Sequence, residues 1–237
     1  KLFRTKGHAY IYIANGHGAW EATLSNVLSR GDKLLVLTNR HAPNRRVVLL
    51  DPANAAEANW VTILAERDEP LDGVTTAGGR LFATYLKDVT TRAHVFNLTG
   101  VAEREIALPG LGTVNDLKGR PGSAEVFVGF TSFLTPPGSY RLNLDTAALE
   151  PLWTPDLGLD LSGYEVRQEF ATSQDGTRVP LFIVGQKAVL EAGPAPTLLY
   201  GYGGFDISLT PTFEVSRLAW LERGGLLAEA NLRGGGE

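Results

Sequence analysis

The feature that most restricts what this 237-residue chain can fold into is a phrase that returns. "KLLVLTNRHAPNRRVVLLD" (33–51), "RLFATYLKDVTTRAHVFNLT" (80–99) and "EVFVGFTSFLTPPGSYRLNLD" (125–145) each read as strand, polar turn, strand. Asp51, Thr99 and Asp145 close the three copies, 48 and 46 residues apart. A short strand follows each copy: "NWVTILA" (59–65), "REIALPG" (104–110) and "LEPLWTP" (149–155). "LDGVTTAGG" (71–79) and "GTVNDLKGR" (112–120) precede the second and third. Four short strands per unit at this period is the pattern of a β-propeller blade. A β-sandwich alternates in the same way but has no reason to repeat one phrase at a fixed period. Residues 1–160 are therefore expected to be propeller blades, with a partial copy ahead of the three clear ones. That is too few for a comfortable closed ring, so the chain reads as part of a longer array.

Near residue 160 the pattern changes. "GYEVRQEFATSQDGTRVPLFIVGQ" (163–186) alternates and turns at Asp175-Gly176, a hairpin signal. "APTLLYGYGGF" reads as a buried strand running into a glycine turn. "TPTFEVSRLAWLERGG" (210–225) has helical spacing, with Phe213, Leu218 and Leu221 on one side and Gly224-Gly225 as the stop. "LLAEANLRGGGE" gives another strand. Strand, helix, strand is the grammar of an α/β domain, so residues 161–237 are expected to begin one.

Several chemistries are disfavoured. Net charge is −4, with no overall nucleic-acid footprint. The basic residues of the first fifty positions, Lys1 to Arg46, read as solvated hairpin tips. There is no cysteine, hence no disulfide frame and no thiolate metal site. No apolar run reaches membrane-spanning length. His8, His17, His41 and His94 show no ligand spacing and read as surface or turn residues. Asn97-Leu98-Thr99 fits a glycosylation sequon, a pattern common by chance. No Gly-x-Ser-x-Gly elbow occurs; Ser162, Ser173, Ser208 and Ser216 lack that context, and no histidine follows residue 160.

What remains is "YGYGGF" (200–205), two tyrosines and a phenylalanine among glycines at a strand end. It satisfies neither phosphate-loop glycine pattern. Ligands in α/β folds gather at the carboxyl ends of strands. A tyrosine hydroxyl on a rigid turn there can donate to a developing oxyanion. Packing of both tyrosines as core aromatics is equally compatible with the pattern.

"LLYGYGGFDISLTPTFEVSRLAWLERGGLLAEANLRGGGE", with "TNRHAPNRR", "GFTSFLTPPG" and "SQDGTRVPLFIV", closely resembles the prolyl oligopeptidase family over essentially the whole chain. The resemblance implies the C-terminal blades of a seven-bladed propeller, followed by the N-terminal part of an α/β-hydrolase domain. It implies a serine peptidase that cleaves short peptides after proline, uses no cofactor or metal, and is a monomer with no nucleic-acid or membrane partner. By the same resemblance Tyr202 is the side-chain oxyanion donor, Phe205 lines the proline pocket and Ile207 lies near the neighbouring subsite. Asp206 stands where the family usually has asparagine. The nucleophile, acid and base would all follow Glu237. A related oligopeptidase B or acylaminoacyl peptidase is the near alternative. A propeller that binds peptides or partners without catalysis is the distant one.

Overall fold

The structure, a computed structural model, describes residues 31–120 and 122–235. His8, His17, the basic residues up to Arg30 and the partial copy expected ahead of residue 33 lie outside them. By contact the chain divides into two compact units, Lys1–Val36 with Val48–Thr62, and Leu37–Val47 with Ile63–Glu237.

The repeat becomes sheets in the phase that the sequence predicts. β1 (Leu34–Thr38), β2 (Arg46–Leu50) and β3 (Val61–Leu64) form a three-stranded sheet in chain order. β4 (Leu71–Ala77), β5 (Arg80–Lys87), β6 (Thr90–Phe96) and β7 (Ala102–Ile106) form a four-stranded antiparallel meander. β8 (Thr113–Gly119), β9 (Val126–Thr131), β10 (Gly138–Leu142) and β11 (Leu149–Trp153) form the next. Two consecutive four-stranded meanders of this length are propeller blades. Alternation along the strands fills the space between them. Phe82, Ala93, Val95 and Ile106 of one blade and Val126, Val128, Phe130 and Leu142 of the next share one apolar cluster.

The repeated turn before the last strand of each sheet shows why the phrase recurs. Asp51 Oδ1 accepts the N–H of Ala53 at 2.9 Å. Asn97 Oδ1 accepts the N–H of Thr99 at 3.0 Å. Asn143 Oδ1 accepts the N–H of Asp145 at 2.9 Å. Each is a short side chain bonding the backbone two residues on, which nucleates a turn. Asp51, Asn97 and Asn143 therefore set the register, 46 residues apart each time. Alignment on Asp51, Thr99 and Asp145 is two residues out in the later copies. Asn97, the first residue of the sequon, has its side-chain oxygen engaged in this turn.

Beyond residue 160, β12 (Tyr164–Thr172) and β13 (Arg178–Gln186) are the expected hairpin, with Gly176 at φ 87° in its turn. A short helix α1 (Lys187–Ala192), unforeseen in the sequence, leads to β14 (Thr197–Tyr202). Helix α2 (Val215–Leu221) crosses to β15 (Leu226–Asn231), which lies parallel to β14. The sheet order is β12-β13-β15-β14. Leu218 and Leu221 of α2 are buried against Phe182, Val184 and Leu227, with Phe213 packed beside them. Phe213 precedes the helix, which is shorter than the 210–225 span suggests, and Gly224 ends the turn after it at φ 78°.

Two expectations are corrected. β14 is not a buried strand: Leu198, Leu199 and Tyr200 are exposed, Leu199 by 70%. Among the described residues it lies at the sheet edge, paired with β15, and its apolar run is uncovered there. His94 is not a surface or turn residue. It sits within β6 against the rings of Tyr85 (5.6 Å) and Phe96 (6.3 Å), and burial lowers its pKa. His41 is an exposed turn residue, as expected.

Candidate functional site

Tyr202 is the last residue of β14, in register with Asn231 of β15, and its carbonyl accepts the N–H of Leu232 at 3.1 Å. The two parallel strand ends then run against each other. A Cβ on Gly203 would stand 2.3 Å from the Arg233 carbonyl oxygen, so only glycine permits this approach. Gly204 to Ile207 form a β-turn closed by the Ile207 N–H on the Gly204 carbonyl at 3.1 Å. Its central residues, Phe205 (φ 53°) and Asp206 (φ 59°), are both left-handed, as in a type I′ turn. The bend therefore does not rest on glycine conformations; the glycines supply room, and Phe205 and Asp206 carry the unusual backbone. A non-glycine residue in that region costs about 1–2 kcal/mol. Such strain persists only where the surroundings enforce it.

The surroundings are the segment after β15. Asp206 N–H donates to the Gly234 carbonyl at 3.2 Å, and Ser208 Oγ to the Gly235 carbonyl at 2.8 Å. Leu209 N–H donates to Asn231 Oδ1 at 2.7 Å, while Asn231 Nδ2 donates to the Leu209 carbonyl at 3.1 Å. Arg233 pairs with Asp175 at the β12–β13 hairpin tip. The hydrogen bond from Thr177 and the Arg233 guanidinium hold the Asp175 carboxyl below the usual carboxylate range. "NLRGGGE" is thus the cradle of "GGFDISL".

The result is a display. Phe205 is 92% exposed and Ile207 half exposed, while Tyr202 is half-buried. A Cβ on Gly204 would lie 3.6 Å from the Tyr202 hydroxyl, which places the hydroxyl near the start of the turn. Tyr202, Phe205 and Ile207 are brought together on one short stretch at the carboxyl end of a parallel strand. The stretch carries a phenol O–H donor, a flat apolar face and an aliphatic side chain within six residues.

Beneath it lies a polar cluster that inspection of the sequence misses. Arg217 of α2 donates to Glu229 of β15 at 3.1 Å and lies 3.3 Å from Glu214. Glu229 is 3% exposed, and burial raises its carboxyl above the usual range against the opposing pull of Arg217. Among these strand residues only the single acid in "LLAEAN" hinted at it. Asn231 was legible only as a polar residue in the same run. Among the described residues no group of three His, Cys, Asp or Glu side chains gathers as metal ligands.

The family model described as "Prolyl oligopeptidase, N-terminal beta-propeller domain" matches residues 16–155. A prolyl endopeptidase of Elizabethkingia miricola is 38% identical over 218 residues, covering 92% of this chain and 31% of that protein. A solved prolyl endopeptidase structure, from work on inter-domain dynamics in catalysis and specificity, superposes with a TM-score of 0.81 at 41% identity, over 88% of this chain and 31% of that one. Prolyl oligopeptidase B of Galerina marginata superposes with a TM-score of 0.74 at 28% identity, over 88% of this chain and 30% of that one. The chain spans about a third of the length of the relatives it matches.

Proposed function

The chain belongs to the prolyl oligopeptidase family, and on that premise we propose that it is the part of a serine oligopeptidase that joins its last propeller blades to the start of an α/β-hydrolase domain. Residues 1–160 are the blades and residues 161–237 the first strands of the hydrolase. The substrate class is short peptides cleaved on the carboxyl side of proline. The parallel pair β14–β15, with α2 as its crossover, supports the hydrolase reading.

The observation that carries the proposal is the strained turn that presents Phe205. The backbone there is left-handed at an aromatic residue, a conformation that costs about 1–2 kcal/mol. A proline ring is rigid, apolar and nearly flat. Such a face stacks on phenylalanine without ordering a flexible side chain, for roughly 0.5–1.5 kcal/mol beyond area burial by analogy with aromatic pairs. Ile207 continues the apolar surface towards the preceding substrate residue.

Tyr202 supplies the chemistry. When a nucleophile adds to the scissile carbonyl, negative charge collects on its oxygen. A phenol O–H fixed on a strand end meets that charge without reorganising, which is the condition for efficient stabilisation. The serine, aspartate and histidine that form and resolve the acyl intermediate are assigned to chain beyond Glu237. Tyr202→Phe in the complete protein tests the role. Loss of one donor costs on the order of 3 kcal/mol, so kcat on a proline peptide should fall about a hundredfold with KM little changed. An unchanged kcat removes Tyr202 from the mechanism.

A further inference from the structure

The segment that carries the candidate site is held on two sides. From the mixed sheet, Asn231 grips Leu209. From the blade β8–β11, Thr113 Oγ1 donates to the Pro211 carbonyl at 2.9 Å. Arg217 meets both sides. Its guanidinium donates to Glu229 on β15 at 3.1 Å and reaches the Thr212 carbonyl at 3.5 Å. It also lies 5.6 Å from the ring centroid of Phe133, within cation–π range. Phe133 belongs to the β9–β10 loop of the same blade, is buried, and packs on Phe182 of β13 at 5.3 Å. One cation therefore touches a blade loop, the middle strand of the mixed sheet and the carbonyl of Thr212, five residues beyond Ile207.

We propose that Arg217 is a positioning residue for the site turn: through Glu229, Thr212 and Phe133 it sets the 205–212 segment against both the sheet and the blade. This rests on the functional reading above and adds to it the blade's part in ordering the reacting groups. Guanidinium suits the role because its planar fork makes several directed bonds and stacks on a ring at once, which an ammonium does not. Among the described residues the charged and titratable groups around Glu229 are few. They are Arg217 and Glu214 at α2 and, in register on the neighbouring strand β14, Tyr200. Phe182 faces it in register from β13, and the blade loop 132–137 contains no ionisable side chain.

A distinctive consequence separates positioning from mere stability. Burial favours the neutral carboxyl of Glu229, so the fold gains from its protonation as pH falls. The full ionic grip on Arg217 exists only when Glu229 is charged. With rising pH, stability should fall and kcat/KM should rise over one and the same titration.

The test uses the complete protein and a chromogenic proline peptide, comparing wild type with Glu229→Gln, Arg217→Lys, Thr113→Val and Thr113→Ser. Glu229→Gln should lower kcat/KM about tenfold at neutral pH, mainly in kcat, and remove the Glu229 component of the acid-side fall while keeping the step that the catalytic histidine itself gives, with thermal stability equal or higher. Arg217→Lys should give a similar loss. Thr113→Val should lower kcat severalfold and Thr113→Ser should restore it. Wild-type kcat/KM at every pH in Glu229→Gln and Arg217→Lys overturns the proposal. Losses that merely track thermal stability, with the pH profile unmoved, overturn it equally. Wild-type protein that does not cleave the peptide fails the functional reading, and this inference with it.

Discussion

Asn231 holds Leu209 by both of its backbone groups: Oδ1 accepts the Leu209 N–H at 2.7 Å and Nδ2 donates to the Leu209 carbonyl at 3.1 Å. A side-chain amide is one of few groups that can complete such a ring, because it carries donor and acceptor side by side. The pairing replaces a missing strand partner. The chain beyond the turn at 204–207 is not in a sheet, yet it is fastened to the end of β15 as firmly as a ladder residue.

Asn231→Ala should therefore destabilise the protein by about 2 kcal/mol, since two partly buried backbone groups lose their partners. Asn231→Asp keeps the acceptor and sets a carboxylate against the Leu209 carbonyl, and should do no better. Denaturant midpoints compare the three. A change under half a kcal/mol for Asn231→Ala means that the clamp does not hold the segment.

Phe205 should be a residue whose replacement trades activity for stability. Asparagine tolerates the left-handed region far better than phenylalanine. Phe205→Asn should raise stability by about 0.5–1 kcal/mol, with the turn bond between Ile207 and Gly204 kept. Activity on proline peptides should drop in the same variant. Lower stability in Phe205→Asn would show that the ring packs for the fold.

Glu229 gives the pH prediction. Burial places its folded pKa above the unfolded value, so the neutral form is the one that the fold favours. Its stabilising contribution is full below the unfolded carboxylate value and is lost as pH rises through the raised folded one. Glu229→Gln removes that loss, so wild type and variant should converge in melting temperature at acid pH and separate towards neutrality, the variant being the more stable. Parallel curves across that window exclude the assignment.

How much of this was legible in the sequence follows the physics of each element. The blades were legible because period-2 alternation and a turn before the last strand of each sheet recur together; Asp51, Asn97 and Asn143 carry the same Asx bond at a fixed interval. The Asp175-Gly176 hairpin was legible because Gly176 has to be left-handed there. The exposure of β14 was not, because an apolar run reports the cover a strand is suited to rather than the cover it has. The left-handed pair Phe205-Asp206 was hidden by the adjacent glycines, which suggested themselves as the bend. The Asn231–Leu209 and Arg217–Glu229 contacts join residues 22 and 12 positions apart, and no local pattern encodes them.

The most direct measurement is the ratio of kcat/KM for matched proline and alanine peptides, in the complete protein and in Phe205→Ala. The ring presented at the turn should contribute to proline and hardly to alanine, which fills the pocket less. Loss of stacking and buried area should lower the proline rate constant about tenfold or more and shrink the proline-to-alanine ratio by most of that factor. A ratio that does not move, whether both activities persist or both fall together, would contradict the placing of proline on Phe205.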